Sequence, residues 1–95
     1  MRVRVTFAGL NDLTRAIGAK EVNAEFEGGT FGDLLGHLER AYGAPLRKEV
    51  LTPAGTVNET VQVIRNGAEW IGRDALDAPL QEGDGVTFLL MMAGG

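Results

Sequence analysis

The chain has 95 residues and a formal net charge of −4 at pH 7, so it is sized for one small domain and lacks the basic balance of a nucleic-acid or anionic-membrane surface. It contains no cysteine and no serine, and His37 is its only histidine. This composition excludes disulfides, thiolate metal sites and cysteine or serine nucleophiles. No segment has the length and apolar character of a membrane span or signal peptide, and we expect a cytoplasmic location.

The first quarter of the chain contains two segments that alternate between polar and apolar residues. Residues 2–8 place two valines and a phenylalanine on one face, which predicts a half-buried strand. Residues 9–19 are polar and contain two glycines, and we expect them to form a long connection. Residues 21–27 alternate again, so the two strands are predicted to pair as a hairpin.

A helix is predicted after the two strands. Thr30 is a favourable N-cap, and Asp33 follows three residues later, close to a capping-box arrangement. Gly43 and Pro45 are expected to end the helix. The apolar residues between these limits recur at helical spacing, in a stripe that would lie on the sheet: Phe31, Leu34, Leu35, Leu38, Ala41 and Tyr42.

The second half is less regular until its last strand. Within residues 46–59, RKEVL is compatible with one more helical turn and the remainder reads as loop. The segment TVQVIRNGAEWIG predicts a strand, a turn at Asn66-Gly67 and a short return strand. Trp70 is interpreted as a hairpin or core anchor, with a binding role as the alternative. We expect Leu76 and Leu80 to reach the core from an irregular segment. The last strand is predicted from Val86 to Met92.

This order of elements predicts an α+β fold with one main helix packed across one face of a mixed sheet. A crossover helix often joins parallel neighbours, so the first and last strands are expected side by side in the centre. We therefore predict a ubiquitin-like β-grasp, as a single domain over residues 1–95 with a flexible C-terminal tail at about 92–95. Ferredoxin-like packing is the alternative, but it needs a second full helix that the sequence does not indicate.

Few residues outside the C-terminus point to chemistry. His37 lies off the apolar stripe and is interpreted as a solvated helix residue, since no second histidine completes a typical metal site. Glu21, Glu25 and Glu27 are interpreted as a solvated strand face and not as a cation site. The glycine pairs match neither a P-loop nor a dinucleotide fingerprint. We therefore expect no bound cofactor and no metal.

The C-terminal segment VTFLLMMAGG combines a core strand with an unusual outward face. The residues expected to face the core are Val86, Phe88 and Leu90. Leu89 and Met91 would then face outward, with Met92 at the exit of the strand. Adjacent exposed apolar residues indicate a contact patch, and methionine adapts to partners of different shape. The alternative is that residues 9–19 or 46–59 cover Leu89.

The terminal Gly94-Gly95 pair makes a thin end that can thread a narrow channel without a Cβ clash. Its reactive group is the α-carboxylate of Gly95, which is a poor acyl donor until it is activated. Adenylation by ATP would make it a mixed anhydride open to attack by sulfur or nitrogen. Because the chain has no cysteine, the natural place for any transferable sulfur is a terminal thiocarboxylate, and a partner must supply the catalysis.

These features resemble the MoaD/ThiS family of ubiquitin-like sulfur carriers, and among them the small subunit of molybdopterin synthase most. The resemblance covers most of the chain. Its motifs are VRVTFAGL, TFGDLLGHLERAYG, VIRNG and DALDAPLQEGDGVTFLLMMAGG, which include Asn66-Gly67, Leu76-Asp77-Ala78-Pro79-Leu80, Gly83-Asp84 and Gly94-Gly95. The chain departs from many relatives, which have prolines where it has Met91-Met92.

The resemblance implies a carrier protein and not an enzyme. An activating enzyme related to ubiquitin activators would consume ATP to adenylate Gly95, which would then become a thiocarboxylate for molybdenum or tungsten cofactor synthesis. The large subunit of molybdopterin synthase, or another sulfur-accepting enzyme, would receive the tail, and Gly94 would allow threading. The residues implied to contact partners are Leu89, Met91, Met92 and Ala93.

Three other functions remain open at this point. Carriers for thiamine or cysteine synthesis have similar endings, although thiamine-type carriers are usually shorter. A ubiquitin-like modifier would be joined to lysines of its targets through Gly95. A non-covalent ubiquitin-like interaction domain would not need the two terminal glycines at all.

Overall fold

The computed structural model describes residues 1–91, which form five strands and three helices. In chain order they are β1 (Arg2–Ala8), α1 (Asn11–Ile17), β2 (Glu21–Glu25), α2 (Phe31–Tyr42), α3 (Ala44–Val50), β3 (Val61–Arg65), β4 (Glu69–Ile71) and β5 (Gly85–Leu90). The strand order is β2-β1-β5-β3-β4, with β1 and β5 parallel and the other neighbours antiparallel. This mixed sheet confirms the predicted ubiquitin-like β-grasp, with the first and last strands side by side in its centre.

The centre of the core is where β1, β5 and α2 meet. In the parallel register Phe7 lies beside Phe88, and their ring centroids are 5.7 Å apart. Phe31, the first residue of α2, stacks on the other side of Phe88 at 6.1 Å. All three rings are at most 1% exposed. Each such pair adds about 0.5–1.5 kcal/mol beyond the burial of its area, so the stack fastens the helix to the middle of the sheet.

The start of α2 is held by the predicted capping box. The Asp33 amide donates to Thr30 Oγ1 at 3.1 Å, and the Asp33 carboxylate accepts from the amides of Thr30 at 3.2 Å and Gly29 at 3.0 Å. These hydrogen bonds, led by the one from Gly29, lower the pKa of Asp33 because they favour the ionised carboxylate. The helix therefore begins where the sequence predicts.

The first turn of α2 also receives the irregular segment before β5. Gly32 donates its amide to the carbonyl of Leu76 at 2.7 Å, and a Cβ on Gly32 would lie only 2.8 Å from that oxygen. Glycine is thus required by a close backbone approach, although it weakens the helix by roughly 1 kcal/mol. The approach places Leu80 in the core and Leu76 against it, as predicted.

The prediction of an irregular connection over residues 9–19 is wrong, because this segment contains α1. Leu10 and Leu13 are buried and Ile17 packs against the core, so the helix has an apolar stripe of only three residues. The polar residues between them hide this spacing. The helical turn suggested by RKEVL belongs to α3, which buries Leu46 and Val50.

His37 is less solvated than its position off the apolar stripe indicated. Its ring stacks on Phe26 with centroids 5.9 Å apart, and it is half-buried. Desolvation is the main cause that lowers the pKa of His37, and the nearby positive charge of Arg40 adds to it. Glu21, Glu25 and Glu27 are exposed, as predicted. In residues 1–91 no helix is long and apolar enough to cross a membrane.

A polar network around the buried Asp84 joins the β3–β4 turn to the start of β5. Asn66 donates to Asp84 Oδ1 at 3.1 Å and accepts from the Gly85 amide at 2.8 Å. Asp84, which is 8% exposed, also accepts from the Gln81 amide at 2.8 Å. Asn66 adopts a φ of 52°, which asparagine tolerates better than most residues. These Asn-Gly and Gly-Asp motifs therefore hold the fold together.

We expect Asn66→Gly to lower the free energy of unfolding by about 1–3 kcal/mol, because it leaves the buried Asp84 carboxylate and the Gly85 amide short of partners. Glycine keeps the left-handed backbone, so this variant isolates the side-chain hydrogen bonds. Asn66→Ala should cost roughly 1 kcal/mol more, since alanine disfavours that backbone. Urea unfolding measures both, with Asn23→Ala on the exposed face of β2 as the control. A loss no larger than the control's would contradict the role of the network.

The capping box gives stability a defined pH dependence. Because the folded pKa of Asp33 lies below its ordinary value of 3.8, ionised Asp33 stabilises the fold above that pH, and this contribution is lost as pH falls through the folded pKa. We expect wild type to be more stable than Asp33→Asn at neutral pH, and the difference to shrink on acidification below about pH 4. Thermal unfolding across this range measures it. A pH-independent difference would contradict the prediction.

Candidate functional site

The sheet presents an outward face on the side away from the core, which we call the open face. Alternation along each strand selects its members, and all of them are half-buried or exposed. They are Arg2, Arg4, Thr6 and Ala8 of β1, Glu21, Asn23 and Glu25 of β2, Gln62 and Ile64 of β3, Trp70 of β4, and Thr87 and Leu89 of β5. Among residues 1–91, the large hydrophobic residues that are exposed are Trp70 and Met91.

Four apolar residues of the open face occupy two neighbouring rows of the sheet, and we call them the apolar band: Ala8, Ile64, Trp70 and Leu89. Ile64 is in register with Trp70 on one side and with Thr87 on the other. In the next row, Leu89 lies between Ala8 and Gln62. Trp70 is 64% exposed, so the band ends in a large accessible indole at the β4 edge. Such a band is typical of a surface that binds a protein.

Leu89 points away from the core, and it is half-buried by its neighbours in the sheet. The next residue, Leu90, packs against the core from the other side. Leu90 also lines a groove of about 460 Å³ with Leu10, Lys48 and Asn58. Chain segments from 9–19 and 46–59 therefore approach Leu90, and the described contacts do not place them over Leu89.

The end of β5 is held by two close contacts. The amide of Met91 donates to the Thr60 carbonyl at 2.7 Å, which continues the pairing with the start of β3. Gly9, with a φ of 78°, brings the β1–α1 turn so near that a Cβ would lie 3.2 Å from Leu90 Cβ. Met91 is nevertheless 43% exposed. The chain is thus anchored up to the point where the predicted tail begins.

The predicted site residues fall into two groups. Leu89 belongs to the apolar band, and Met91 directly follows the end of β5. Met92, Ala93, Gly94 and Gly95 lie outside the described residues, so their roles stay predictions.

Trp70 does not anchor the core, because it is mostly exposed; within the β3–β4 hairpin it lies opposite Ile64. Strand β4 is a three-residue edge strand, and its alternation buries Ile71 and turns Trp70 outward. The alternation of Glu69, Trp70 and Ile71 is visible in the sequence, but the large aromatic side chain of Trp70 favoured the interpretation that it is buried. Trp70 is therefore the functional candidate that sequence reasoning undervalued.

The open face carries apolar, hydroxyl, amide and ionic side chains, whereas His37 lies on α2, on the opposite side of the sheet. Arg2 and Glu25 form an exposed ion pair at 3.1 Å, which stabilises the sheet by at most about 1 kcal/mol. Within residues 1–91, no group of three or more histidine, aspartate or glutamate residues could hold a metal ion.

Comparisons with known proteins agree with this architecture. The sequence profile of the ThiS family matches residues 7–95. The crystal structure of SAMP1 from Haloferax volcanii is similar with a TM-score of 0.78, 24% identity and full coverage of both chains. None of the curated proteins searched matches the chain significantly.

Two further solved structures share the fold. The Amycolatopsis orientalis BexX/CysO complex contains a chain with a TM-score of 0.75 and 24% identity, covering 98% of this chain and 99% of that one. The putative molybdopterin converting factor subunit 1 from Pyrococcus furiosus has a TM-score of 0.71 and 21% identity, and the match covers 97% of this chain and 99% of that one. At such identities the likeness shows the fold alone.

We expect Trp70→Ala to change the free energy of unfolding by no more than about 0.5 kcal/mol, because the indole is mostly solvated. Phe88→Ala, which removes a ring from the central stack, should cost about 3–5 kcal/mol. Urea unfolding followed by far-UV circular dichroism measures both variants. A loss above about 2 kcal/mol for Trp70→Ala would show that the indole is a structural anchor after all.

Proposed function

Because the chain belongs to the ThiS family, we propose that it is a ubiquitin-like sulfur carrier that acts through the carboxylate of Gly95. The observation that carries the proposal is the position of the apolar band. It lies beside the end of β5, and the sequence leads from there within five residues to Gly94-Gly95. A carrier needs this combination, because a partner must hold the domain while its own active site reaches the end of the chain.

The proposed chemistry has two steps, both catalysed by partners. A Gly95 carboxylate oxygen attacks the α-phosphorus of ATP, which forms an acyl-adenylate and releases pyrophosphate. A donor of sulfur at the sulfide level then attacks the carbonyl carbon and displaces AMP, leaving a thiocarboxylate. The chain contributes an unhindered end, because Gly94 and Gly95 carry no side chain to obstruct the attack.

The proposed partners are an adenylating enzyme related to ubiquitin activators and an enzyme that accepts the sulfur. We propose that Leu89 and Met91 contact both in turn, with Met92 and Ala93 leading into their active sites. ATP is consumed by the adenylating enzyme, so the carrier itself needs no bound cofactor. The setting we propose for these reactions is the cytoplasm.

We propose molybdopterin synthesis, for a molybdenum or tungsten cofactor, as the receiving pathway, with the large subunit of molybdopterin synthase as acceptor. The ordered sequence motifs support this choice, and one similar structure is named as a putative molybdopterin converting factor subunit. The similarity to SAMP1, a small archaeal modifier protein, favours conjugation through Gly95 as the second candidate. The similarity to CysO supports another sulfur pathway, such as cysteine synthesis, and thiamine synthesis is a further alternative.

Incubation with the adenylating enzyme of the same organism, ATP and sulfide should raise the intact mass of the chain by about 16 Da, because sulfur replaces one terminal oxygen. Electrospray mass spectrometry of the whole protein measures the shift. A variant that lacks Gly94 and Gly95 is the matched control and should stay unchanged. An unchanged wild-type mass, under conditions that charge a known carrier, would contradict the proposal.

The same material separates the candidate pathways. Transfer of the sulfur to a pterin precursor in the presence of the molybdopterin synthase large subunit would support the first candidate. Higher-mass conjugates in cell lysate, absent when the two glycines are deleted, would support the modifier. Partner binding and function that survive the deletion would point to a non-covalent interaction domain instead.

A further inference from the structure

The apolar band alone does not determine how a partner sits on the open face. Burial of apolar surface is non-directional, so a partner held only by Ala8, Ile64, Trp70 and Leu89 could rotate on the sheet. The proposed chemistry does not tolerate rotation, because Gly95 has to enter an active site at one end of the band. A directional contact away from the tail is therefore required.

Arg4 occupies the position where such a contact would be most effective. It pairs in the parallel register with Gly85, the first residue of β5, whereas the tail leaves from the other end of that strand. The five residue steps from Gly85 to Leu90 span roughly 16 Å. Arg4 lies beside the start of β5 and Met91 follows its end, so the two mark opposite ends of that strand, and Leu89 lies near the Met91 end.

The Arg4 guanidinium is exposed and lies over the backbone of Gly85. A Cβ on Gly85 would be 3.7 Å from Arg4 Nη2, so the missing side chain leaves room for the guanidinium on the sheet. Within residues 1–91 the Arg4 side chain has no ion pair and no hydrogen bond. Neighbouring arginines differ: Arg2 pairs with Glu25 at 3.1 Å, and Arg65 pairs with Glu69 at 2.7 Å.

We propose that Arg4 binds a carboxylate of the adenylating enzyme and thereby orients the carrier so that its tail enters the active site; this inference rests on the proposed function. The planar guanidinium binds a carboxylate through two parallel hydrogen bonds, which gives a directional contact. Such a contact fixes the register of an interface that apolar burial leaves free. A second copy of the chain is a poorer occupant, since two molecules of charge −4 repel each other.

The test compares Arg4→Gln, Arg4→Lys and Arg2→Gln in the ATP–pyrophosphate exchange catalysed by the adenylating enzyme. Arg4→Gln should raise the KM for the carrier about tenfold and leave kcat unchanged, because it weakens docking and not the chemistry. The KM of Arg4→Lys should lie between those of Arg4→Gln and wild type, since lysine keeps the positive charge but cannot donate two parallel hydrogen bonds to one carboxylate. Arg2→Gln carries the same net charge as Arg4→Gln, and its KM should stay within about twofold of the wild-type KM.

Salt dependence gives a second readout that a purely structural role would not move. The wild-type KM should rise between low and moderate NaCl, and Arg4→Gln should lose most of this rise. Circular dichroism and urea unfolding establish that the variants are folded. An unchanged KM for Arg4→Gln, an equal effect of Arg2→Gln, or a fall in kcat alone would each overturn the inference.

The failure of the proposed function is distinguishable from the failure of this inference. If wild type supports ATP–pyrophosphate exchange and Arg4→Gln leaves the KM unchanged, the inference about Arg4 fails and the proposed function stands. If wild type supports no exchange, the proposed function and the inference about Arg4 both fail. Sedimentation of the free protein tests the competing occupant: a dimer that Arg4→Gln dissociates would assign the contact to a second copy and overturn the proposal.

Discussion

The parallel pairing of β1 with β5 is the constraint on which the rest of the molecule depends. Its register puts Phe7 beside Phe88 in the core and Ala8 beside Leu89 on the open face. Because side chains alternate along a strand, a shift by one residue would exchange these faces. The core and the candidate docking surface are therefore specified by the same hydrogen bonds, and neither can change without the other.

Local sequence signals were sufficient for the parts of the fold that carry complete patterns. The capping box at Thr30 and Asp33 predicted the start of α2, and the alternation in β5 predicted which of its residues face inward. Helix α1 was missed because its stripe, centred on Leu13, is too short to stand out from the polar residues around it. The orientation of Trp70 also required the fold, since edge strands expose residues whose size favours burial.

Part of the candidate site could be predicted in the same way, and part could not. The outward direction of Leu89 follows from period-two alternation, whereas the extent of the apolar band follows from the strand order. Arg4 lies beside Gly85 only because two strands whose paired residues are 81 positions apart in sequence become neighbours. The hydrogen bonds of Asn66 and Asp84 show that two of the motifs on which the resemblance rests stabilise the fold. The resemblance therefore reports architecture strongly and the receiving pathway weakly.

The central position of β5 has a consequence for how the protein is made. Every other strand and helix precedes β5 in the sequence, yet the sheet has no centre until β5 is inserted between β1 and β3. A nascent chain still lacking β5 would have two separate strand pairs and an exposed Phe31 with no Phe88 to cover it. Completion of the fold thus coincides with synthesis of β5. The apolar band, which includes Leu89, is therefore assembled only in a finished domain.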